Sequence, residues 1–335
     1  MDFPAAAVQT GRRLAPPVPA SQHPGVLPLN MSTTNVASVC FMTPTHVRDL
    51  RQFSVLRRSI EVFAPGIPHI AIVNTEDYAE FSDRFRRDRH LQIVKTADVL
   101  PGAIERRRRK SGPKWLTGKW LHKGLIRGWH AQQLAKLFAL AECPYEAAAF
   151  IDSDVFVCRP LSPDYFHVNG RLKLFRRRAV NAECLDFDIA THDILGNPLH
   201  QVTDLFDYIF SPACFRKSTA IRLFAEFEAR RLSSWVRRFL AQRRPSEYNL
   251  LGYSAMVLEQ GAGYQLIECN PDDLHHSIRF PEDRARLDAE IERMREQPKD
   301  FALIQSTLGL NWEQIANAFA RMEEAHRAAS LTSEV

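Results

Sequence analysis

From Val36 onward the sequence alternates apolar, β-branched runs with segments of helical spacing, and that order leaves few folds open. Residues 36–43, VASVCFMT, form an apolar run that stops at Thr43-Pro44. Residues 47–63 then place Val47, Leu50, Phe53, Leu56, Ile60 and Phe63 three or four apart, as on one helix face. A second strand is predicted over 67–74, a short helix over 76–85 and a third strand over 91–95. Repeated β-α-β units with apolar strands predict a mostly parallel central sheet with helices on both faces, in one domain spanning 36–325. Such sheets bind ligands beyond the carboxyl ends of their strands.

Residues 97–127 show no clear period and carry RRRRK at 106–110, so they are read as an irregular basic loop and a candidate lid. In the helix that follows, GWHAQQLAKLFAL, Trp129, Gln132, Gln133 and Lys136 share one face, while Leu134, Leu137 and Ala141 make the apolar side. A polar face on an otherwise buried helix calls for a ligand or solvent. The next strand, AAAFIDSDVFV, brings Asp152 and Asp154 to its carboxyl end, and a period of two projects both carboxylates the same way. Two hard oxygen donors on one side suit Mg²⁺ or Mn²⁺. The plainer alternative is that one Asp caps a turn and the other is solvated.

Composition narrows the class. The 335 residues are 45% hydrophobic and 25% charged, as in an ordinary soluble protein, with a formal charge of +5. Arginines cluster at 106–110, 176–178 and between 216 and 244, which suits phosphates, acidic sugars, nucleic acid or an anionic membrane face, or simply a solvated surface. Six cysteines without a C-x-x-C pair argue against a zinc ribbon or a disulfide framework and for reduced thiols in a cytoplasmic protein. No run approaches the roughly 20 apolar residues that span a bilayer, and the N-terminus lacks an apolar signal core. Residues 1–35, rich in Pro and Ala, are expected to be a disordered tail, with Met31 as a possible start; 326–335 are expected to be a flexible end.

Four stretches, TPTHVRDLRQFSVLRRSI (43–60), RGWHAQQLAKL (127–137), FIDSDVFVCRP (150–160) and SEYNLLGY (246–253), give the sequence a family likeness. In their order and spacing it resembles GT-A-type glycosyltransferases, and within them a poorly characterised bacterial family. The resemblance implies a nucleotide-sugar donor and a glycan or lipid-linked acceptor, in bacterial surface or extracellular polysaccharide synthesis. It implies that Thr43, Pro44, Asn74 and Asp77 hold the nucleoside. Asp152 and Asp154, with Ser153 between them in the donor site, hold a divalent ion on the diphosphate. Lys136 is the candidate cation for the leaving phosphate, and Gln132 and Gln133 orient donor hydroxyls or phosphate.

Ser246 reads as a helix N-cap with Glu247 in the first turn, and a carboxylate there is the general-base candidate, a capping Glu being the plainer reading. By resemblance one of His275 and His276 supplies a third metal ligand, which would favour Mn²⁺.

Two other classes share part of this pattern. A haloacid-dehalogenase-like phosphatase also uses D-x-D, but on its first strand, whereas three strands precede it here. A basic nucleic-acid-binding module would explain the arginines, yet no helix-turn-helix, zinc finger or RNP pattern is present, so no nucleic-acid partner is expected. Finally, LSSWVRRFL (232–240) places Leu232, Trp235, Val236, Phe239 and Leu240 opposite Arg230, Arg231, Arg237 and Arg238. This fits either a peripheral helix on the inner face of a membrane or a core helix with its arginines in water.

Overall fold

The apolar run after Ser38 becomes β1 (Val39–Thr45), buried at every residue, and α1 (Leu50–Phe63) sends Phe53, Leu56, Ile60 and Phe63 into the same core. The computed structural model describes residues 38–110, 126, 128–178, 182–196, 205–230, 235–279, 281–297, 299–305 and 308–333. The expected N-terminal tail lies outside them. β2 (His69–Val73), α2 (Tyr78–Arg84) and β3 (Leu91–Lys95) continue the alternation, and the strands add in parallel on one side of β1. After α3 (Thr96–Val99), α4 (Gly102–Lys110) and α5 (Gly128–Glu142), β4 (Ala147–Phe150) enters on the other side of β1, again parallel. The change of side creates a topological switch point, and a crevice opens beyond the ends of β1 and β4.

β5 (Val155–Val157) leaves this sheet. β6 (His167–Val168) and β7 (Arg171–Arg178) form a hairpin whose two-residue turn, Asn169-Gly170, has positive φ at both positions, as a tight hairpin requires. After α6 (Ala182–Leu195) and β8 (Phe206–Asp207), β9 (Ala213–Arg216) closes the five-stranded sheet antiparallel to β4. Then come α7 (Lys217–Ala229), α8 (Trp235–Ala241), α9 (Glu247–Val257), and β10 (Tyr264–Glu268) parallel to β7. α10 (Pro271–Leu274), β11 (His275–Ile278), α11 (Leu287–Glu296), β12 (Phe301–Ile304) and α12 (Trp312–Ser333) complete the fold. β12 pairs with β11 in parallel and with β5 antiparallel, so a three-stranded sheet, β11-β12-β5, stands beside the five-stranded sheet and the sheet of β10, β7, β6 and β8. One continuous apolar core runs from β1 through α5 and α9 to Phe319 of α12.

The α/β reading with a mostly parallel sheet is correct, and three local expectations are not. The run 147–157 is not one strand: it breaks after Phe150, and the Val155 amide donates back to the Asp152 carbonyl at 3.0 Å. Asp152 and Asp154 therefore sit in a turn between two sheets, and the period-two argument does not apply to them. Residues 102–110 are helical rather than irregular, because Arg108 turns inward to buried partners; 111–125 lie outside the described residues. Of the two readings of the α8 stripe the core one fits: Trp235 stacks on Phe227 at 4.8 Å between ring centroids and packs on Phe224 and Phe138, while Leu232 lies outside the described residues. The last helix runs on to Ser333, past the expected boundary at 325.

Candidate active site

Lys136 organises the crevice. α5 carries it toward the ends of β1 and β4, where its side chain is buried. Its Nζ donates to Asp152 Oδ1 at 2.7 Å and to the Tyr248 hydroxyl at 2.9 Å. Glu247 Oε1 lies 2.8 Å from the same nitrogen, an ion-pair contact off the line of a hydrogen bond. Burial works against the ammonium, but the charges of Asp152 and Glu247 outweigh it and hold Lys136 well above the usual lysine range. It is a fixed cation. Burial likewise pushes the Glu247 carboxyl up, and Lys136 offsets only part of this.

Ser246 caps α9 as predicted, its Oγ accepting from the Asn249 amide at 3.2 Å. That cap turns Glu247 inward, where it is 1% exposed. The expected base therefore faces Lys136 and is placed to hold it. Tyr248, which sequence reasoning missed, also reaches Asp152 Oδ2 at 3.3 Å. Its only sequence signal was its place beside Glu247.

A cavity of about 800 Å³ opens above these groups. Asp152, Ser153, Asp154, Gln132, Gln133, Lys136, Glu247 and His275 all line it. The buried Gln133 Oε1 and Ser153 Oγ have no hydrogen-bond partner. A buried polar atom without a partner is costly, so two of them on one cavity wall point to a hydrogen-bonding ligand.

The carboxylates can be tested against a divalent ion. Asp152 and Glu247 set two carboxylates against the Lys136 ammonium, and Asp154 joins them in the lining of the cavity. Asp152 keeps 41% of its side chain exposed, toward water or a ligand. Two carboxylates of one turn, one of them partly exposed toward the cavity, are hard oxygen donors that fit Mg²⁺ or Mn²⁺, which take the rest of their oxygens from water and phosphate. The two histidines do not fit. His276 lies between the Glu290 carboxylate and the Gln297 carbonyl, each 3.0 Å from a ring nitrogen. His275 does line the cavity, but its Nδ1 is 2.7 Å from the Pro271 carbonyl and its Nε2 faces that of Ser211. Among the described residues no three His, Cys, Asp or Glu side chains form a metal-binding group.

A second cavity, of about 810 Å³, adjoins the first, the two sharing Pro44, His46, Arg48 and Gln132 as lining. Asn74 and Asp77 lie in its wall as expected, Asn74 Nδ2 donating to Asp77 Oδ2 at 2.9 Å. Thr43 does not reach either cavity: it is fully buried, with Oγ1 2.9 Å from His69 Nε2 in the core. Sequence reasoning missed Arg108, Glu76 and Glu105. Arg108 donates to Asn74 at 2.9 Å, to Glu76 at 2.8 and 2.6 Å and to Glu105 at 2.6 and 2.8 Å. Burial opposes its charge, but the two glutamates prevail and raise it further, while Arg108 holds Glu76 low.

Behind the first cavity, Asp188 is fully buried in α6, and burial with the charge of Asp207 pushes its carboxyl up to about 7. Its Oδ1 accepts from Asn249 Nδ2 at 3.1 Å and from the Tyr253 hydroxyl at 3.4 Å, while Oδ2 has no partner. Asn249 Oδ1 in turn accepts the Tyr208 amide at 2.9 Å. This network fixes the 208–211 wall against α9.

The fold and site together define an α/β protein with a charged crevice at the switch point of its central sheet. The chain belongs to a family of unknown function (DUF6492), whose profile matches residues 28–324. No curated protein gives a significant match. Solved structures similar to it include mouse xyloside xylosyltransferase 1 in its apo form, at 10% identity and a TM-score of 0.41, covering 82% of this chain and 100% of that one. The galactosyltransferase LgtC with donor and acceptor sugar analogs is 11% identical, with a TM-score of 0.43 over 85% of this chain and 95% of that one. The mannosyltransferase Ktr4p of S. cerevisiae is 12% identical, with a TM-score of 0.45 over 70% of each chain. At these values the likeness is a loose one of chain path. No helix among the described residues is long and apolar enough to cross a membrane.

Proposed function

We propose that the protein is a GT-A-type glycosyltransferase that moves a sugar from a nucleotide-sugar donor to a glycan or lipid-linked acceptor. One observation carries the reading. Two adjoining cavities at the switch point share a wall at Pro44, His46, Arg48 and Gln132, and one of them is lined by a buried ammonium flanked by carboxylates and by partnerless amide and hydroxyl oxygens. A nucleotide needs a long polar crevice, a sugar needs hydroxyl partners, and a departing diphosphate needs positive charge.

In this reading the nucleoside lies against Asn74 and Asp77, held still by Arg108. The diphosphate lies at the shared wall near Arg48, whose guanidinium makes no hydrogen bond or salt bridge within the described residues. The sugar enters the first cavity, where Gln133 and Ser153 accept its hydroxyls. Asp152 and Asp154 would hold Mn²⁺ or Mg²⁺, which when bound supplies Lewis-acid stabilisation of the leaving phosphate. Lys136, charged throughout the physiological range, adds a preorganised cation beside Asp152 and needs no reorganisation during reaction. Glu247 and Tyr248 position that cation.

The test is a screen of nucleotide sugars for Mn²⁺-stimulated release of nucleoside diphosphate, with Lys136→Met as the control. Release from at least one donor by the wild type, and its loss in the variant, is expected. A wild type that hydrolyses no nucleotide sugar in any divalent ion would sink the proposal.

A further inference from the structure

The part of the first cavity that the second does not share has a basic wall. Arg177 near the end of β7, Arg279 directly after β11 and Gln305 directly after β12 line it, and none of the three lines the second cavity. Ile278 and Ile304 are partners in the parallel register of β11 and β12, and the Gln305 amide donates to the Ile278 carbonyl at 2.9 Å. Arg279 and Gln305 therefore leave the sheet side by side. One residue earlier, the Ile304 amide donates to the Asp154 carbonyl at 2.9 Å, so this wall stands next to the acidic turn.

Both arginines are held without being used up. Arg177 donates from Nε and Nη2 to the same oxygen of Asp207, at 2.9 and 2.8 Å, and Asp207 is 1% exposed, so the guanidinium is gripped from behind. Its Nη1 makes no hydrogen bond among the described residues. Arg279 Nη2 donates to the Ser277 hydroxyl at 3.1 Å and stands 3.5 Å from Asp272, a carboxylate that is 74% exposed. A pair as exposed as that is screened and weak. The charge of Asp272 acts on Arg177 too, which sets the two guanidinium groups on one side of the cavity. Each keeps 27% of its side chain exposed.

Two neighbouring cations, one backed by a buried acid and the other by a solvated one, are stabilised by an oxyanion between them, because charge-assisted hydrogen bonds from guanidinium groups are the strong ones. We propose that Arg177 and Arg279, with Gln305 as a further donor, bind an oxyanion of the acceptor, which makes the acceptor an acidic molecule with a phosphate or carboxylate close to the hydroxyl that receives the sugar. This rests on the glycosyl-transfer reading above. In that reading the diphosphate lies at Arg48 and the donor sugar at Gln133 and Ser153, and none of these belongs to the basic wall. A neutral acceptor would strip water from both guanidinium groups and return only uncharged partners.

The experiment first identifies a donor by its hydrolysis in the wild type. With Mg²⁺ and the nucleoside diphosphate of that donor filling the donor site, calorimetry then compares methyl phosphate, glucuronate and glucose. At least one of the two anions should bind about tenfold more tightly than glucose, and less tightly as salt rises. Arg279→Gln should weaken that binding by about tenfold, and Arg279→Lys should recover part of it, since the charge is kept and the planar fork is lost. A preference for methyl phosphate marks a phosphorylated acceptor, a preference for glucuronate an acidic sugar, and either supports the site. As a measurement free of variants, phenylglyoxal treatment of the wild type with peptide mapping should modify Arg279, and the bound anion should slow that modification. Anions that bind no better than glucose, that bind equally well to Arg279→Gln, or that protect neither arginine overturn the acidic acceptor and leave the glycosyl-transfer reading standing. Failure of all donor hydrolysis removes both.

Discussion

Replacing Lys136 by Met tests whether the buried ammonium holds the crevice together. The side chains are similar in length, so the main effect is loss of charge. Asp152 is 41% exposed and can rehydrate, whereas Glu247 is 1% exposed and would be left as a buried carboxylate without its cation. Breaking a buried ion pair from one side costs about 3–5 kcal/mol, and here nearly all of it falls on Glu247.

The sign with pH follows from the same carboxyl. Burial already raises it, and without Lys136 it rises further. A carboxyl raised in the folded state lowers stability as pH climbs from its unfolded value through its folded one. The penalty should therefore be fully expressed near pH ~8 and much smaller near pH ~5. Urea unfolding of the wild type, Lys136→Met, Glu247→Gln and the double variant at both pH values measures it. The double variant should be more stable than Lys136→Met at the higher pH, because the neutral amide no longer needs a cation. A Lys136→Met variant within about 1 kcal/mol of the wild type near pH 8, or a double variant no better than the single, would refute the reasoning.

Three further outcomes are expected. Asp188, raised to about 7 by burial and by Asp207, should lower wild-type stability as pH rises from about 4 to about 7, by at most about 4 kcal/mol. Asp188→Asn should flatten that slope, and an unchanged slope in thermal melts across pH would count against it. A Cβ at Gly252 would lie 2.1 Å from Cγ of the buried Tyr208 ring, so Gly252→Ala should cost about 1–3 kcal/mol by chemical denaturation, and a neutral effect would show that the ring can yield. Asp154→Asn should abolish Mn²⁺-stimulated donor hydrolysis while circular dichroism stays native, and full activity in that variant would free Asp154 from any metal role.

What could be read in advance was what depends on neighbours along the chain. β3 was predicted at its observed bounds, the Ser246 cap from one residue type before a helix, and the polar face of α5 from its spacing. What failed depends on partners far away. RRRRK looked like a solvated run because Glu76, which draws Arg108 inward, lies over thirty positions earlier and in another element. His276 looked like a loop ligand because nothing local announces that Glu290 and Gln297 occupy it. The break after Phe150 escaped notice because Val155–Val157 is as apolar as the strand before it, and only pairing with β12 assigns it to another sheet. Asp188 carried no signal, since a lone Asp in a helix is ordinarily solvated.

The pairing of β5 with β12 has a temporal side. The Ile304 amide donates to the Asp154 carbonyl at 2.9 Å, so the backbone of the acidic turn is fastened by a strand near the far end of the chain. While the protein is being made, the five strands of the larger sheet leave the ribosome first, and they can pair while β12 is still unmade. A nascent chain can thus bury most of its core yet lack the clasp on its two aspartates. The crevice is completed last, and a polypeptide truncated before Phe301 would fold much of its sheet and still not hold the turn in place.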